Sequence, residues 1–203
     1  MVKSSGWARL GRPLTAAAAA AVISWFAFVA QREVPLLDWF DLAVHEAGHL
    51  GAAGFLPRLA MFMAGSVAQV AFPAAMALYF ALRRGDLPAA GFCTAWAGTS
   101  AWDVSVYAAD AVHQSLPLVG GGEHDWAFIL GPQGFDALHM TGTVAGFIEF
   151  SGAVLAVLGI GLAVSAAFGG RRKARIATAS STVPAGETDP WIAAASLPFR
   201  HEG

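Results

Sequence analysis

Leu42-Ala43-Val44-His45-Glu46-Ala47-Gly48-His49-Leu50-Gly51 sets two histidines and a glutamate, spaced His-Glu-x-x-His, inside an apolar run. On a helix of 3.6 residues per turn, His45 and His49 lie one turn apart on the same face, with Glu46 beside them. Two neutral imidazoles so placed can grip one Zn²⁺ ion. The metal lowers the pKa of a bound water toward neutrality, and the nearby carboxylate can take the proton. The flanking Leu42, Ala43, Val44, Leu50, Ala52, Ala53, Phe55 and Leu56 are apolar, so a solvated helix surface does not explain the motif. Ionisable groups in such a segment are expensive and mark a site. The competing reading is a buried structural polar cluster.

Working outward, 56% of the 203 residues are hydrophobic and 13% charged, against about 45–50% and 25% in soluble domains. This predicts a membrane protein: an all-α, polytopic transmembrane helix bundle of about five to six spans with a disordered C-terminal tail. The expected division is 1–170, a membrane-embedded helical domain holding the zinc site, and 171–203, a basic tail rich in Ser, Thr, Pro and Gly. The expected location is multi-pass in a membrane, a bacterial inner membrane, with the lipid bilayer as the first partner. A formal charge of -2, with cations near the chain ends, excludes a nucleic-acid partner on electrostatic grounds. The single cysteine, Cys93, cannot form an intramolecular disulfide and is expected to pack as a small apolar residue.

Along the chain, Thr15 to Ala30 reads as a retained first membrane helix and Asp38 to Leu56 as a second, carrying the motif. Leu59 to Leu82 makes a third, ended by Arg83-Arg84-Gly85-Asp86, and Leu87 to Val112 a fourth. A fifth long apolar stretch, containing Glu149, runs to about Phe168 and meets the basic stop Arg171-Arg172-Lys173-Ala174-Arg175. With five spans, the positive-inside rule places the N-terminus outside. If residues 123–137 also cross or re-enter, both basic ends become cytoplasmic.

A His-Glu-x-x-His site lacks one protein ligand, which can be His, Asp or Glu. The stretch Glu123-His124-Asp125-Trp126, just after Gly120-Gly121-Gly122, is the best source, with His124 the first choice and Asp125 the second. An acidic helix N-terminus is the competing reading. Gln69 shares a helix face with Gly65 and Ser66 and could position substrate or water, or simply bridge two helices. Asp103, deep in the fourth span, could ligate the metal or orient a ligand histidine. Asp110, seven residues on, is expected to cap or be solvated.

With His45-Glu46-Ala47-Gly48-His49 inside a membrane span, the chain resembles the site-2-protease-like integral-membrane zinc metalloproteases over about Asp38 to Trp126. In that family a downstream acid in a Leu-Asp-Gly setting completes the site. That tripeptide is missing here, and Glu123-His124-Asp125-Trp126 stands as its replacement. The resemblance implies one Zn²⁺ and Glu46 as general base for hydrolysis of a peptide bond in a membrane-protein or peptide substrate. Two alternatives stay open: a membrane zinc hydrolase acting on a lipid amide or ester, and a non-catalytic metal-binding or transport protein.

Overall fold

The computed structural model describes the backbone of residues 6–118 and 122–181; the remaining part of the expected tail, 182–203, lies outside the described residues. The chain divides into two units, Met1–Ala167 and Phe168–Gly203. Along the chain, α1 (Gly6–Phe28), α2 (Leu37–Ala52), α3 (Arg58–Tyr79) and α4 (Leu87–Ala109) are followed by the short α5 (Asp125–Leu130) and by α6 (Thr141–Ser181), of which residues 141–167 belong to the first unit. Among the described residues there is no strand. In the second unit, residues 168–181 are helical, so the described part of the stretch expected as a disordered tail has helical backbone.

Each boundary has a local cause. A π-turn over Phe80–Arg84 ends α3, and Gly85, at φ 60°, closes it by donating its amide to Phe80. Only a residue without Cβ adopts that left-handed backbone at no steric cost. Asp86 then caps α4, its carboxylate accepting from the Ala89 amide at 3.3 Å, with Pro88 in the first turn where no amide is needed. Asp110 closes the other end, accepting from the amides of Ser115 and Leu116 at 3.0 and 2.9 Å.

The helix α4 is the centre of the bundle: Ala90, Ala95, Ala97, Gly98, Thr99, Ser100, Ala101, Trp102, Val104, Ser105 and Ala108 are all buried along it. It packs on α1 and α3. It meets α6 backbone to backbone, because a Cβ on Gly98 would fall 2.5 Å from the Gly152 carbonyl oxygen and 2.7 Å from the Ala156 nitrogen. Small residues on facing helices permit this approach, which favours dispersion contacts and weak Cα–H hydrogen bonds. Cys93 is buried here as a thiol.

Among the described residues, three stretches are long and apolar enough to cross a membrane: Leu10–Phe28, Arg58–Arg84 and Leu138–Phe168. Only 28%, 28% and 22% of their best windows are buried by the rest of the protein, so their outer faces offer apolar side chains such as Trp25, Val67, Phe147 and Val157 to the surroundings. The expected second and fourth spans form helices but fall short of this measure. At 16 residues, α2 reaches about 24 Å of a core of about 30 Å, and it carries Asp38, Asp41 and Glu46. The apolarity of α4 is diluted by Asp103 and by the small and hydroxylated residues that let its neighbours approach. At six residues, α5 is too short to cross.

Candidate metal centre

The pair α2 and α3 builds most of the site. Gly48, between the two motif histidines, lets the helices touch: a Cβ there would overlap the Ala64 carbonyl oxygen and come 2.7 Å from the Ala68 Cβ. At the residue after Ala64 on α3, a Cβ on Gly65 would overlap the Nε2 atoms of both His45 and His49. The imidazoles therefore occupy the space that the missing side chain leaves.

The rotation of α2 about its axis is fixed by Asp41, one turn before His45. This buried carboxylate accepts from Trp96 Nε1 at 2.9 Å and from Ser100 Oγ at 2.8 Å, both on α4. The Trp96 ring in turn packs against Phe40 and Phe72, with centroids of the three rings 5.5 to 5.8 Å apart. Without those donors a buried carboxylate would be strongly destabilising, so Asp41 is tied to this pairing of helices.

The third member arrives from α5. Asp125 Oδ2 lies 3.0 Å from His45 Nε2 and 3.0 Å from His49 Nε2, and the two Nε2 atoms are 3.0 Å apart. His45, His49 and Asp125 thus form a group able to hold a metal ion. Three donors held about 2.0–2.1 Å from a tetrahedral ion stand about 3.3 Å from one another. The observed triangle needs only a slight widening to match.

Proton accounting strengthens the fit. His49 Nδ1 is 2.8 Å from the Met61 carbonyl oxygen, which can only accept, so Nδ1 carries the ring proton. Gln69 Nε2 donates to Asp103 Oδ2 at 2.6 Å, which turns Gln69 Oε1 toward His45 Nδ1 at 3.0 Å. That oxygen also only accepts, so His45 holds its proton on Nδ1 as well. In their neutral forms both rings aim lone pairs at a carboxylate oxygen and at each other. Three such acceptors repel unless positive charge lies among them, either a metal ion or further protons on the rings.

The remaining candidates fall around this triangle. Gln69 is buried and touches His45, and Asp103 reaches the site only through Gln69. Glu46 is half-buried, next to His45 in sequence and outside the triad, with no hydrogen bond among the described residues. His124, the first choice for third ligand, is not in the group. It caps α5, with Nδ1 accepting from the Ala127 amide at 3.2 Å, and its Nε2 is 3.4 Å from Asp110 Oδ2 without a hydrogen bond. Capping turns His124 back along its own helix start and leaves the next residue, Asp125, facing α2.

Sequence reasoning passed over Tyr107. Its hydroxyl accepts from the Asp125 amide at 3.2 Å, its ring lies 4.3 Å from that of His124 and 6.0 Å from that of His45. Nothing local marks it, although it stands one helical turn after Asp103 on α4 and so on the same face. Asp41 did carry a signal: a carboxylate in an apolar helix one turn before the first motif histidine. Glu149 is half-buried on α6, outside the triad.

No protein-family model matches the chain, and neither curated proteins nor solved structures give a significant match.

Proposed function

We propose that the protein is an integral-membrane zinc metallopeptidase, in which His45, His49 and Asp125 hold one Zn²⁺ and Glu46 is the general base. The observation that carries this reading is the convergence of His45 Nε2, His49 Nε2 and Asp125 Oδ2 at 3.0 Å separations, with both Nδ1 protons engaged elsewhere. Two imidazoles and one carboxylate are a donor set that zinc accepts, and three protein ligands leave a fourth position for chemistry. When bound, such an ion supplies acidity to water and polarises a carbonyl oxygen.

The chain's own groups do the rest. Gln69 and the Met61 carbonyl keep the two imidazoles in the tautomer that offers Nε2. Asp125 brings a negative charge that favours a dication. Glu46 takes the proton of the attacking water on its carboxylate and returns it to the leaving nitrogen, so the peptide C–N bond breaks with the water divided between acid and amine. The resemblance of His45-Glu46-Ala47-Gly48-His49 to the site-2-protease-like motif is what favours a peptide over another acyl substrate. In this reading α2 and α4 also lie at membrane depth, sheltered by the three apolar helices, in a multi-pass arrangement in a bacterial inner membrane.

The test is Glu46→Gln in proteoliposomes containing zinc, assayed against peptide and lipid amide or ester panels. Peptide hydrolysis should disappear while zinc stays bound. Full hydrolysis in that variant sinks the base assignment, and turnover confined to the lipid panel replaces the peptidase reading.

A further inference from the structure

Asp125 is carried by a six-residue helix, and helices this short have no stability of their own in water. The position of the third ligand therefore depends on what holds α5 against α3. The contact has three parts. Phe128 stacks on Phe62 at 4.1 Å and 18°, burying both rings in a small core with Ala111, Ile129 and Leu130. Trp126 Nε1 donates to Ser66 Oγ at 3.2 Å, next to the Gly65 on which the imidazoles rest. Outermost, the Arg58 guanidinium lies 4.7 Å over the Phe128 ring and 5.6 Å over that of Phe62, and it pairs with Glu123, two residues before Asp125.

Arg58 is out of place by the usual helix rules. It is the first residue of α3, where the partial positive charge of the helix disfavours a cation. The Glu123 carboxylate, brought there from the other segment, offsets this and spans α3 and the approach to α5. We infer that Arg58 is a positioning residue for the metal centre: through Glu123 and Phe128 it docks α5 on α3 and so sets Asp125 against His45 and His49. Metal binding and α5 docking are then linked, each favouring the other. The inference rests on the metal-centre reading and needs no substrate.

The test is Co²⁺ and Zn²⁺ titration of the full chain in detergent, using Arg58→Ala, Glu123→Ala and the double variant. Both side chains are 58% exposed, so the truncations should fold. Loss of the ion pair and the ring contact should weaken metal binding about tenfold in Arg58→Ala. The double variant should bind no more than about twofold weaker than that, because the two residues act through one contact. Arg58→Lys keeps the charge but not the planar stacking and should fall between. The visible absorption of bound Co²⁺ should shift in Arg58→Ala, and amide exchange over residues 122–130 should slow on metal addition in the unsubstituted protein. Unaltered affinity in both single variants, or exchange over 122–130 indifferent to metal, overturns the inference. Absence of stoichiometric binding by the unsubstituted protein overturns the metal centre itself.

Discussion

His45 and His49 present their Nε2 atoms 3.0 Å apart while each commits its Nδ1 proton to an acceptor on α3, Gln69 Oε1 for one and the Met61 carbonyl for the other. The two constraints differ in kind. Met61 acts through its backbone and no substitution removes its carbonyl, whereas Gln69 is a side chain whose orientation depends in turn on Asp103.

Replacing Gln69 by Leu should therefore affect His45 alone. With no acceptor at Nδ1, the ring loses its preference for the tautomer that offers Nε2, and groups that orient a ligand histidine are worth about 10- to 100-fold in metal affinity. Competition titration with a zinc chelator should give a loss in that range, and Asp103→Leu a smaller loss in the same direction. Equal affinity in Gln69→Leu and the unsubstituted protein would mean that the bond to His45 is incidental.

The neighbours His124 and Asp125 should separate cleanly. Asp125→Ala removes one corner of the triangle and should abolish stoichiometric zinc. His124→Ala should keep zinc at unchanged stoichiometry and lower stability by about 1 kcal/mol through loss of the α5 cap, with some weakening of affinity because α5 carries Asp125. Zinc content by elemental analysis beside thermal unfolding in detergent reads both. Zinc lost in His124→Ala and kept in Asp125→Ala would restore His124 as the ligand.

Which parts of this were legible in the sequence follows from the range of the forces involved. The starts of α2, α3 and α4 were, because apolar runs closed by Arg32-Glu33-Val34-Pro35, Pro57-Arg58 and Arg83-Arg84-Gly85-Asp86 are local signals, whereas α1 begins at Gly6, before the expected Thr15, and takes Pro13 into the helix. The pair His45 and His49 was legible for the same reason, since four residues is one turn. The number of helices apolar enough to cross a membrane was not, because α4 buries its apolar residues against the rest of the protein, and its Gly, Ser and Thr lower its hydropathy while letting neighbours approach. The choice between His124 and Asp125 was also hidden. Adjacent residues at a helix start point about 100° apart, and which one faces α2 is decided by Tyr107, Ser66 and Phe62, all distant in the chain. Gly65 was read only as sharing a face with Gln69; that two imidazoles fill its place is a tertiary fact.

Asp86 gives a prediction about pH away from the metal centre. Burial pushes its carboxyl up, but the Arg12 guanidinium at 2.6 Å and the Ala89 amide outweigh this and hold it below the usual carboxylate range. A carboxylate with a lowered pKa in the folded state contributes stability that is in place above the unfolded value of about 3.9 and is lost as pH falls through the folded value. Asp86→Asn should thus lower the stability slightly at neutral pH, by less than about 1 kcal/mol for so exposed a pair, read as a small drop in the unfolding midpoint. The difference from the unsubstituted protein should vanish in strong acid. Asn caps a helix start as well as Asp does, so a gap that stays constant from neutral pH to below a pH of about 3 would show that the Asp86 charge is not its cause.

The seam between α4 and α6 makes the strongest demand on shape. Gly98 faces Gly152 and Ala156, while Gly91 and Gly159 repeat the arrangement two turns away, where a Cβ on Gly91 would come 2.6 Å from the Gly159 carbonyl oxygen. Backbone atoms cannot turn aside as a long side chain can, so even one methyl at Gly98 forces the helices apart along the seam. Overpacking of this kind costs about 1–3 kcal/mol, and Gly98→Leu should cost more than Gly98→Ala. Gly142 and Gly161 also lie on α6 but have open space around their Cα atoms, so Ala there should be tolerated and can gain helix propensity. Thermal unfolding of the set in one detergent should rank Gly98→Leu below Gly98→Ala, and both below Gly142→Ala and Gly161→Ala. Zinc binding should follow the same order, because α4 carries Trp96 and Ser100 for Asp41, Asp103 for Gln69, and Tyr107 for Asp125. A Gly98→Leu protein that unfolds and binds zinc like the unsubstituted chain would show that α6 does not press on α4 at this point.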